Sequence, residues 1–294
     1  SKSRILRMIN SVNLIYKKAI NLDADIYHLH DPELIRIGLK LLKKDKKVIF
    51  DSHEDVGATI LDKHYLKPYL RKIIYKIYKL YQTYSLKKFS GLISATPYIK
   101  KQLLNINSNS IDVCNYPIIS ELENNKSKTF SDNFNVCYVG GITKNRGLLE
   151  LVRSLEITKN LVTLNLVGNF SPKSFEKELK KEPGWKHVHY HGYLDRKQVK
   201  EVYNKSMIGL VTLHPTRNVI NSLPIKMFEY MISELPIIAS NFPLFINIFN
   251  ENKCGLNVDP KNSLEIANAI DYLIENLEVR KEMGQNGKKN VIKN

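Results

Sequence analysis

Short apolar runs alternate with segments of helical periodicity along the whole chain. In its first part, runs that suit strands lie at 25–29, 47–51 and 91–95, and helical patterns lie at 32–44 and 67–89. This alternation predicts α/β layers built on parallel sheets. The first sheet is predicted to have three strands, which is thin for a doubly wound domain.

The second part of the chain has the pattern of a complete Rossmann-like domain. Strands are predicted at 135–139, 163–167, 187–191, 208–213, 236–240 and 255–258, and helices at 148–158, 173–181, 197–204, 224–233 and 263–276. A polar stretch at 121–133 precedes them. The pattern therefore predicts a first domain at 1–118, a linker at 119–133 and a second domain at 134–294.

The segment 221–240, NSLPIKMFEYMISELPIIAS, carries the most specific local signal. It predicts a loop, a helix that opens near Pro224 and a buried strand, and the free amides of such a helix N-terminus favour a phosphate. Lys226 lies in the first turn, and Glu229 follows on roughly the same face. This set suits a nucleoside diphosphate, with the cation at the phosphates and the carboxylate at the ribose. The alternative is a solvated ion pair between Lys226 and Glu229 on an ordinary amphipathic helix.

A glycine-rich turn follows the first strand of the predicted second domain. Gly140 and Gly141 allow a tight turn and a close approach of the backbone to a ligand. Lys144 and Arg146 then bring cations to the entrance of the next helix, which suits a pyrophosphate. The alternative is that the glycines meet only a steric need of the α/β fold.

Two polar clusters with histidines follow strands of the first domain, YHLHDPE at 27–33 and FDSHED at 50–55. Ligands of parallel α/β sheets bind outside the carboxyl ends of the strands, where both clusters are predicted to lie. A His-x-His pair beside carboxylates is one arrangement that binds a metal ion. A purely structural role is the alternative for His28.

The segment around Pro224 and Glu229 resembles the donor-binding signature of glycosyltransferase family 4, whose members have the two-domain GT-B fold. The resemblance covers nearly the whole chain and is specific between Val139 and Pro260. It implies two Rossmann-like domains facing a cleft. It also implies that the first domain is incomplete at its N-terminus, because the further strands and the glycine-rich loop that start this domain in the family are not found. GT-B members usually need no catalytic metal, so we predict none here.

The resemblance assigns roles to individual residues. Glu229 is expected to bind the ribose of a sugar nucleotide, and Asn221 stands where the family often has a second glutamate near the transferred sugar. Related enzymes carry an arginine and a lysine in the glycine-rich turn. Here Gly141 replaces the arginine, and Arg146 stands where the lysine would be. Arg146 is therefore expected to bind phosphate, with Lys226 as the second cation.

Further donor contacts are expected from the same resemblance. Tyr193 and Leu194 follow a strand and a glycine and are expected to flank the nucleobase, although Tyr193 is also a common type of loop aromatic. Leu223 is expected among the nucleotide-binding residues, and the loop at 214–218 is expected to face the sugar and phosphates. The histidine that corresponds to His53 lies near the donor sugar in the family.

The resemblance thus implies a retaining glycosyltransferase that uses no cofactor. It would move a sugar from a UDP- or GDP-linked donor to a glycan or lipid-linked acceptor in surface polysaccharide synthesis. Two alternatives stay open. A sugar-nucleotide 2-epimerase has a similar fold and ligand, and a non-catalytic binding protein is compatible with Asn221 in place of the glutamate.

The segment 65–89 is basic and rich in tyrosine. Basic residues recur at helical spacing, and the opposing apolar stripe consists of Leu66, Leu70, Ile73, Ile77 and Leu80. This pattern predicts an interfacial helix on anionic lipid, with the aromatic rings at the headgroup level. The alternatives are a core-packing helix with a basic solvent face and a nucleic-acid surface. No recognisable nucleic-acid module accompanies the charge, so we do not predict the latter.

Among the overall properties of the chain, the net charge of +16 says most about its binding partners. Residues 1–118 carry 21 basic and 10 acidic residues, against 24 and 19 in residues 119–294, which favours polyanionic partners. The three cysteines are far apart and form no Cys-x-x-Cys motif, so a reducing cytoplasm is the simplest location. Together with the basic helix, this predicts a peripheral protein on the inner face of the cell membrane.

Overall fold

The computed structural model describes residues 4–63, 65–123 and 134–293. The chain divides into two compact units, Ser1–Asn115 and Tyr116–Asn294. The first residues of the predicted linker form a short helix, Ile119–Leu122, because Leu122 is buried in the apolar core of the second unit. The rest of that linker, 124–133, lies outside the described residues.

The first unit is a four-stranded parallel sheet with helices. Its strands are β1 (Ile26–Leu29), β2 (Lys47–Ser52), β3 (Gly91–Ser94) and β4 (Ser110–Asp112), in the order β1-β2-β3-β4. Its helices are α1 (Arg4–Leu22), α2 (Ile35–Leu42), α3 (Val56–Leu61), α4 (Pro68–Leu86) and α5 (Pro97–Leu104). The prediction of three strands is therefore wrong. It missed β4, whose three residues are too few to show an alternating pattern.

The two faces of this first sheet differ in burial. Side chains alternate along a strand, so Leu29 and Phe50 point into the core with helix α2, while His28 and Asp51 lie on the other face. That second face is only partly covered among the described residues, and Ile93 of β3 also lies on it.

Helix α4 turns its apolar stripe outward. Ile73, Ile77 and Leu80 are 50%, 62% and 74% exposed, so the alternative of a core-packing stripe is wrong. Polar contacts hold the helix to the preceding segment instead. Arg71 donates through Nε to the carbonyl of Leu66 and through a terminal nitrogen to that of Leu61, at 2.9 and 3.1 Å. These contacts fix the rotation of the helix.

The second unit is a six-stranded parallel sheet with helices on both faces. Its strands are β5 (Phe134–Val139), β6 (Val162–Val167), β7 (Val188–Gly192), β8 (Ile208–Val211), β9 (Ile237–Ser240) and β10 (Gly255–Val258), in the order β10-β9-β8-β5-β6-β7. Its helices are α6 (Ile119–Leu122), α7 (Leu148–Leu155), α8 (Lys173–Leu179), α9 (Arg196–Lys205), α10 (Ile225–Ile232), α11 (Pro243–Asn252), α12 (Ser263–Glu275) and α13 (Leu277–Lys293). The six strands and the five predicted helices are all present, and α6, α11 and α13 were not predicted.

The core of the second unit lies on both sides of its sheet. Strands β8 and β9 are buried along their whole length, which is why their sequences are continuous apolar runs. Helices α7 and α12 cover one face and α10 and α11 the other. Among the described helices of the whole chain, none combines the length and the apolar character that a bilayer crossing requires.

Candidate functional site

The turn after β5 and the start of α10 meet in the second unit. Tyr230 of α10 links the two elements, because its hydroxyl accepts a hydrogen bond from the Val139 amide at 3.2 Å. Gly140 has a φ of +138°, and a Cβ there would lie 2.7 Å from the Lys226 amine. A side chain at this position would therefore displace Lys226. A Cβ on the neighbouring Gly141 would meet nothing within 4 Å, so its backbone borders open space.

Lys226 is a buried cation without a hydrogen-bond acceptor among the described residues. The side chain is 9% exposed, and its Nζ lies 3.8 Å from the centre of the Tyr138 ring. Burial, and secondly the charge of Arg146, lower the pKa of Lys226 to about 7. An unpaired buried ammonium destabilises a fold, so its retention here suits a site that receives an anion.

Arg146 is the second cation at this turn. It ends a single 3₁₀ turn, Lys144–Arg146, is partly buried, and forms no ion pair within the described ranges. Lys144, which was predicted beside it, instead pairs with Glu178 of α8 at 2.6 Å. Of the two cations predicted at the helix entrance, Arg146 is thus the one whose charge acts on Lys226.

Glu229 does not pair with Lys226 in the described contacts. Its carboxylate is buried, accepting a hydrogen bond from Arg196 at 2.5 Å on one oxygen and from the Tyr203 hydroxyl at 2.7 Å on the other. The alternative of a solvated Lys226–Glu229 pair is therefore wrong. Each carboxylate oxygen can accept more than one hydrogen bond, so Glu229 keeps the capacity to bind ribose hydroxyls.

Three residues of this site were missed by the sequence analysis: Tyr138, Arg196 and Tyr203. Arg196 opens α9 and also donates to Glu121 at 3.1 Å. Burial raises the pKa of Tyr203 well above its usual value, so its phenol remains a proton donor to Glu229. These partners are 26 and 33 residues away from Glu229 along the chain, and no local pattern signals such a pairing.

The residues predicted at the nucleobase differ in their surroundings. Tyr193 is 77% exposed and follows Gly192, whose φ is +71°. Leu194 instead packs against the apolar core on the α10 side of the sheet. Leu223 lines an apolar cavity of about 440 Å³ together with Phe228.

Asn221 and the loop at 214–218 come from the stretch between β8 and α10. Asn221 is partly buried in the turn that leads into the helix. In the loop, His214 contacts Glu150 of α7 through its Nε2 at 3.0 Å. The loop is thereby tied to the helix that follows the glycine-rich turn.

His53 belongs to a cluster in the first unit. Its Nε2 lies 3.2 Å from Nδ1 of His30 and 3.7 Å from Oδ2 of Asp51. His28 and His30 each place a ring nitrogen 3.5 Å from the same carboxylate oxygen. The two predicted strand-end clusters therefore come together.

Solved structures with the same fold are GT-B glycosyltransferases. The chain superposes on sucrose-phosphate synthase of Thermosynechococcus elongatus with a TM-score of 0.76 and 16% identity, covering 97% of this chain and 73% of that one. For Anabaena HepE in complex with UDP and glucose, the TM-score is 0.74 at 14% identity, with 97% and 76% covered. The predicted GT-B fold is confirmed.

The sequence also matches a family that has this fold. Residues 120–290 match the family Glycosyl transferases group 1. The chain belongs to this family. It is similar to CapM of Staphylococcus aureus, a capsular polysaccharide biosynthesis glycosyltransferase, with 27% identity over 187 residues, which is 58% of this chain and 46% of CapM. The match thus spans about half the length of that relative.

Proposed function

We propose that the protein is a retaining family 4 glycosyltransferase of surface polysaccharide synthesis. It transfers a sugar from a UDP- or GDP-linked donor to a glycan or lipid-linked acceptor. The observation that carries the proposal is the buried Lys226 amine beside the open Gly140–Gly141 turn. Among the described residues, this amine has no hydrogen-bond acceptor. The similarity to CapM supports the pathway, and UDP in the HepE complex supports the donor.

The proposed mechanism relies on fixed positive charge at the leaving group. As the bond between sugar and diphosphate breaks, charge grows on the phosphate oxygens, and Lys226 and Arg146 stabilise it. Two cations and the turn amides supply this stabilisation without a metal at the diphosphate. In the proposal, the acceptor hydroxyl attacks from the face that the diphosphate leaves and gives its proton to the departing diphosphate oxygen, with retention and without an enzymic nucleophile.

The remaining residues orient the donor. Glu229 accepts hydrogen bonds from the ribose hydroxyls, and Tyr193 stacks on the base, for which its exposed ring is suited. Asn221 and the loop at 214–218 face the sugar and phosphates.

A thermal unfolding series tests the donor site. Wild type, Glu229→Ala and Arg146→Ala are each heated with UDP, GDP, ADP or no ligand. At about 100 times its dissociation constant a nucleotide adds roughly 2.7 kcal/mol, a shift of a few degrees. A shift with one nucleotide that both substitutions abolish supports the site and names the base. The absence of any shift contradicts it.

A turnover assay separates transfer from the alternative reactions. With the sugar nucleotide that binds, transfer releases nucleoside diphosphate only when an acceptor fraction is added. A 2-epimerase would convert the sugar nucleotide without any acceptor. Binding without turnover in either condition would favour a non-catalytic binding protein.

We also propose that helix α4 attaches the protein to the inner face of the cell membrane. Its exposed stripe of Ile73, Ile77 and Leu80 is flanked by lysines, and each basic residue near an anionic surface contributes roughly 1 kcal/mol. Cosedimentation with vesicles tests this. Binding should increase with the anionic lipid fraction and decrease with salt. Binding that ignores the anionic lipid content would contradict the proposal.

A further inference from the structure

We propose that the first unit binds a zinc ion through His28, His30, Asp51 and His53. This site goes beyond the proposed transfer reaction, whose diphosphate contacts lie in the second unit. The four side chains come from two neighbouring strands and the residues that directly follow them.

The register of the first sheet brings these side chains together. Strands β1 and β2 are parallel, and Leu29 pairs with Phe50. Because side chains alternate, His28 and His30 then lie on the same face as Asp51, with His30 next to Asp51 in register. His53 follows β2 by one residue and lies on that face as well.

The distances from the Asp51 carboxylate to the three histidine rings match metal coordination better than hydrogen bonding. Oδ2 of Asp51 lies 3.5, 3.5 and 3.7 Å from ring nitrogens of His28, His30 and His53. An N–H···O hydrogen bond is usually about 2.7–3.2 Å long, so these contacts are too long. In a tetrahedral zinc site with bonds of about 2.0–2.2 Å, neighbouring ligand atoms are about 3.3–3.6 Å apart. The His30 and His53 ring nitrogens, 3.2 Å apart, are within hydrogen-bond distance, so it is the contacts to Asp51 that indicate coordination.

The chemistry of the set selects a cation of the zinc type. One carboxylate among three imidazoles gives a negative site when the rings are neutral, and imidazole nitrogen is a preferred ligand of zinc. The carboxylate is 13% exposed and the three histidines are 41–52% exposed, so an ion can enter from solvent.

A second His-x-His pair in the protein shows what the carboxylate adds. His189 and His191 on β7 have ring centres 4.3 Å apart at 34°, close to the 4.3 Å and 39° of His28 and His30. Yet His191 contacts the amide oxygen of Asn165, which is a neutral partner. His28, His30 and Asp51 form a grouping in which one ligand atom from each residue lies within 4.8 Å of the others.

Zinc at this site leaves His53 one ring nitrogen that can still donate a hydrogen bond. Coordination through Nε2 leaves the proton on Nδ1, which remains a hydrogen-bond donor. The ion would thereby fix the tautomer of His53. A failure of donor binding in the nucleotide experiments does not affect the zinc site, and the reverse also holds.

A zinc titration tests the proposal. Full-length protein stripped with a chelator is titrated with Zn²⁺ against a chromogenic chelator, and bound zinc is counted after desalting. The variants are Asp51→Asn and His28→Gln, with His189→Gln as the matched control. Losing a neighbour of a ligand typically costs about 10–100-fold in metal affinity, so losing a ligand should cost at least about 100-fold. Co²⁺ in place of zinc reports the coordination geometry through its visible absorption.

The expected result is one zinc per chain in wild type and His189→Gln, loss in the other two variants, and a tetrahedral Co²⁺ spectrum. The proposal is overturned if wild type binds no zinc, if Asp51→Asn and His28→Gln retain it, or if the control loses it equally. The unfolding of each variant is compared with that of wild type in the presence of chelator, where neither protein binds zinc, so that a difference reports on the fold alone. If a variant does not fold, the stoichiometry and Co²⁺ spectrum of wild type decide.

Discussion

Helices α4 and α10 depart from ordinary amphipathic packing in opposite directions. Helix α10 has eight residues, six of which are buried, including the charged Lys226 and Glu229. Helix α4 has nineteen residues, of which only Gln82, Ser85 and Leu86 are buried, while its apolar stripe faces outward. One helix thus keeps charge inside and the other keeps apolar surface outside.

Each arrangement destabilises the free protein, so each indicates a binding partner that would remove the unfavourable feature. A buried amine without an acceptor gains stability when an anion binds beside it. An exposed apolar stripe gains stability when it leaves water. The comparison predicts that removing the unusual feature weakens binding in both helices but does not weaken the fold.

The largest effect is expected for the apolar stripe of α4. In Ile73→Ser/Ile77→Ser/Leu80→Ser, each change removes about 1 kcal/mol of apolar burial in the membrane, so affinity for anionic vesicles should fall by at least about 100-fold. Stability in urea should change by no more than about 0.5 kcal/mol per site, because the side chains are exposed. The control replaces the exposed leucines of the second unit, as Leu161→Ser/Leu264→Ser/Leu277→Ser, and should bind vesicles like wild type.

The replacement of Lys226 by an uncharged side chain of similar length is the next test. Lys226→Met removes one charge-assisted hydrogen bond to phosphate, worth about 1.5–3 kcal/mol, so affinity for the sugar nucleotide should fall roughly 30-fold. The free protein should be as stable as wild type or more so, because no unpaired buried cation remains. Calorimetric titration measures the affinity for the sugar nucleotide, and urea denaturation measures the stability of the free protein.

Lys144→Met is the matched control for that variant. Lys144 lies in the 3₁₀ turn that follows Gly140 and Gly141, and its charge is engaged by Glu178 in an exposed ion pair. A change of less than about threefold in nucleotide affinity is expected, since surface ion pairs contribute little. An equal loss in both variants would mean that charge near the turn, and not the buried amine, determines binding.

A smaller effect is expected for Tyr203, whose hydroxyl donates a hydrogen bond to the Glu229 carboxylate. Tyr203→Phe removes a hydrogen bond to a buried carboxylate and should destabilise the protein by about 1.5 kcal/mol in urea. Tyr272→Phe, at a 45% exposed tyrosine, should change stability by less than about 0.5 kcal/mol. Equal stability of the two variants would show that Tyr203 does not hold the carboxylate.

The smallest effect is a dependence of donor affinity on pH. Phosphate binding requires protonated Lys226, whose pKa of about 7 makes its protonated fraction fall roughly fivefold between pH 7 and 8. Affinity for a sugar nucleotide, whose phosphates keep their charge in this range, should fall by a similar factor. Lys226→Met should show no such decline in calorimetric titrations.

The stability of the free protein should depend on pH in the opposite sense. Between the folded pKa of about 7 and the ordinary lysine value of 10.5, the unfolded chain holds a proton that folded Lys226 does not. More protons on the unfolded state mean that stability rises with pH. Wild type should therefore gain stability relative to Lys226→Met from pH 7 to 8.5. A constant difference would contradict the lowered pKa.

Much of the second unit could be predicted from sequence because turn residues separate its strands, and β8 and β9 are continuous buried apolar runs. The prediction found all six strands. Helix α11 was missed because its residues follow the apolar segment of β9 closely, with no helical periodicity that stands apart from it.

The orientation of a side chain could be predicted only where it depends on a single helix or strand and not on contacts between several. The amphipathic pattern of α4 is visible in the sequence, but its rotation depends on Arg71 and the carbonyls near α3. The proximity of Glu229 to Arg196 depends on how α9 packs beside α10, which no local signal records. The histidine clusters were recognised as strand ends, yet their meeting depends on the register of β1 and β2.

The most direct test of the account is a crystal structure of the protein with a UDP-sugar bound. We predict that a diphosphate oxygen accepts a hydrogen bond from Nζ of Lys226 and lies at the Gly140–Gly141 turn, with the ribose hydroxyls on Glu229. A diphosphate bound out of reach of Lys226, or a ribose that does not contact Glu229, would contradict the assignment of this buried cation and carboxylate as the donor site.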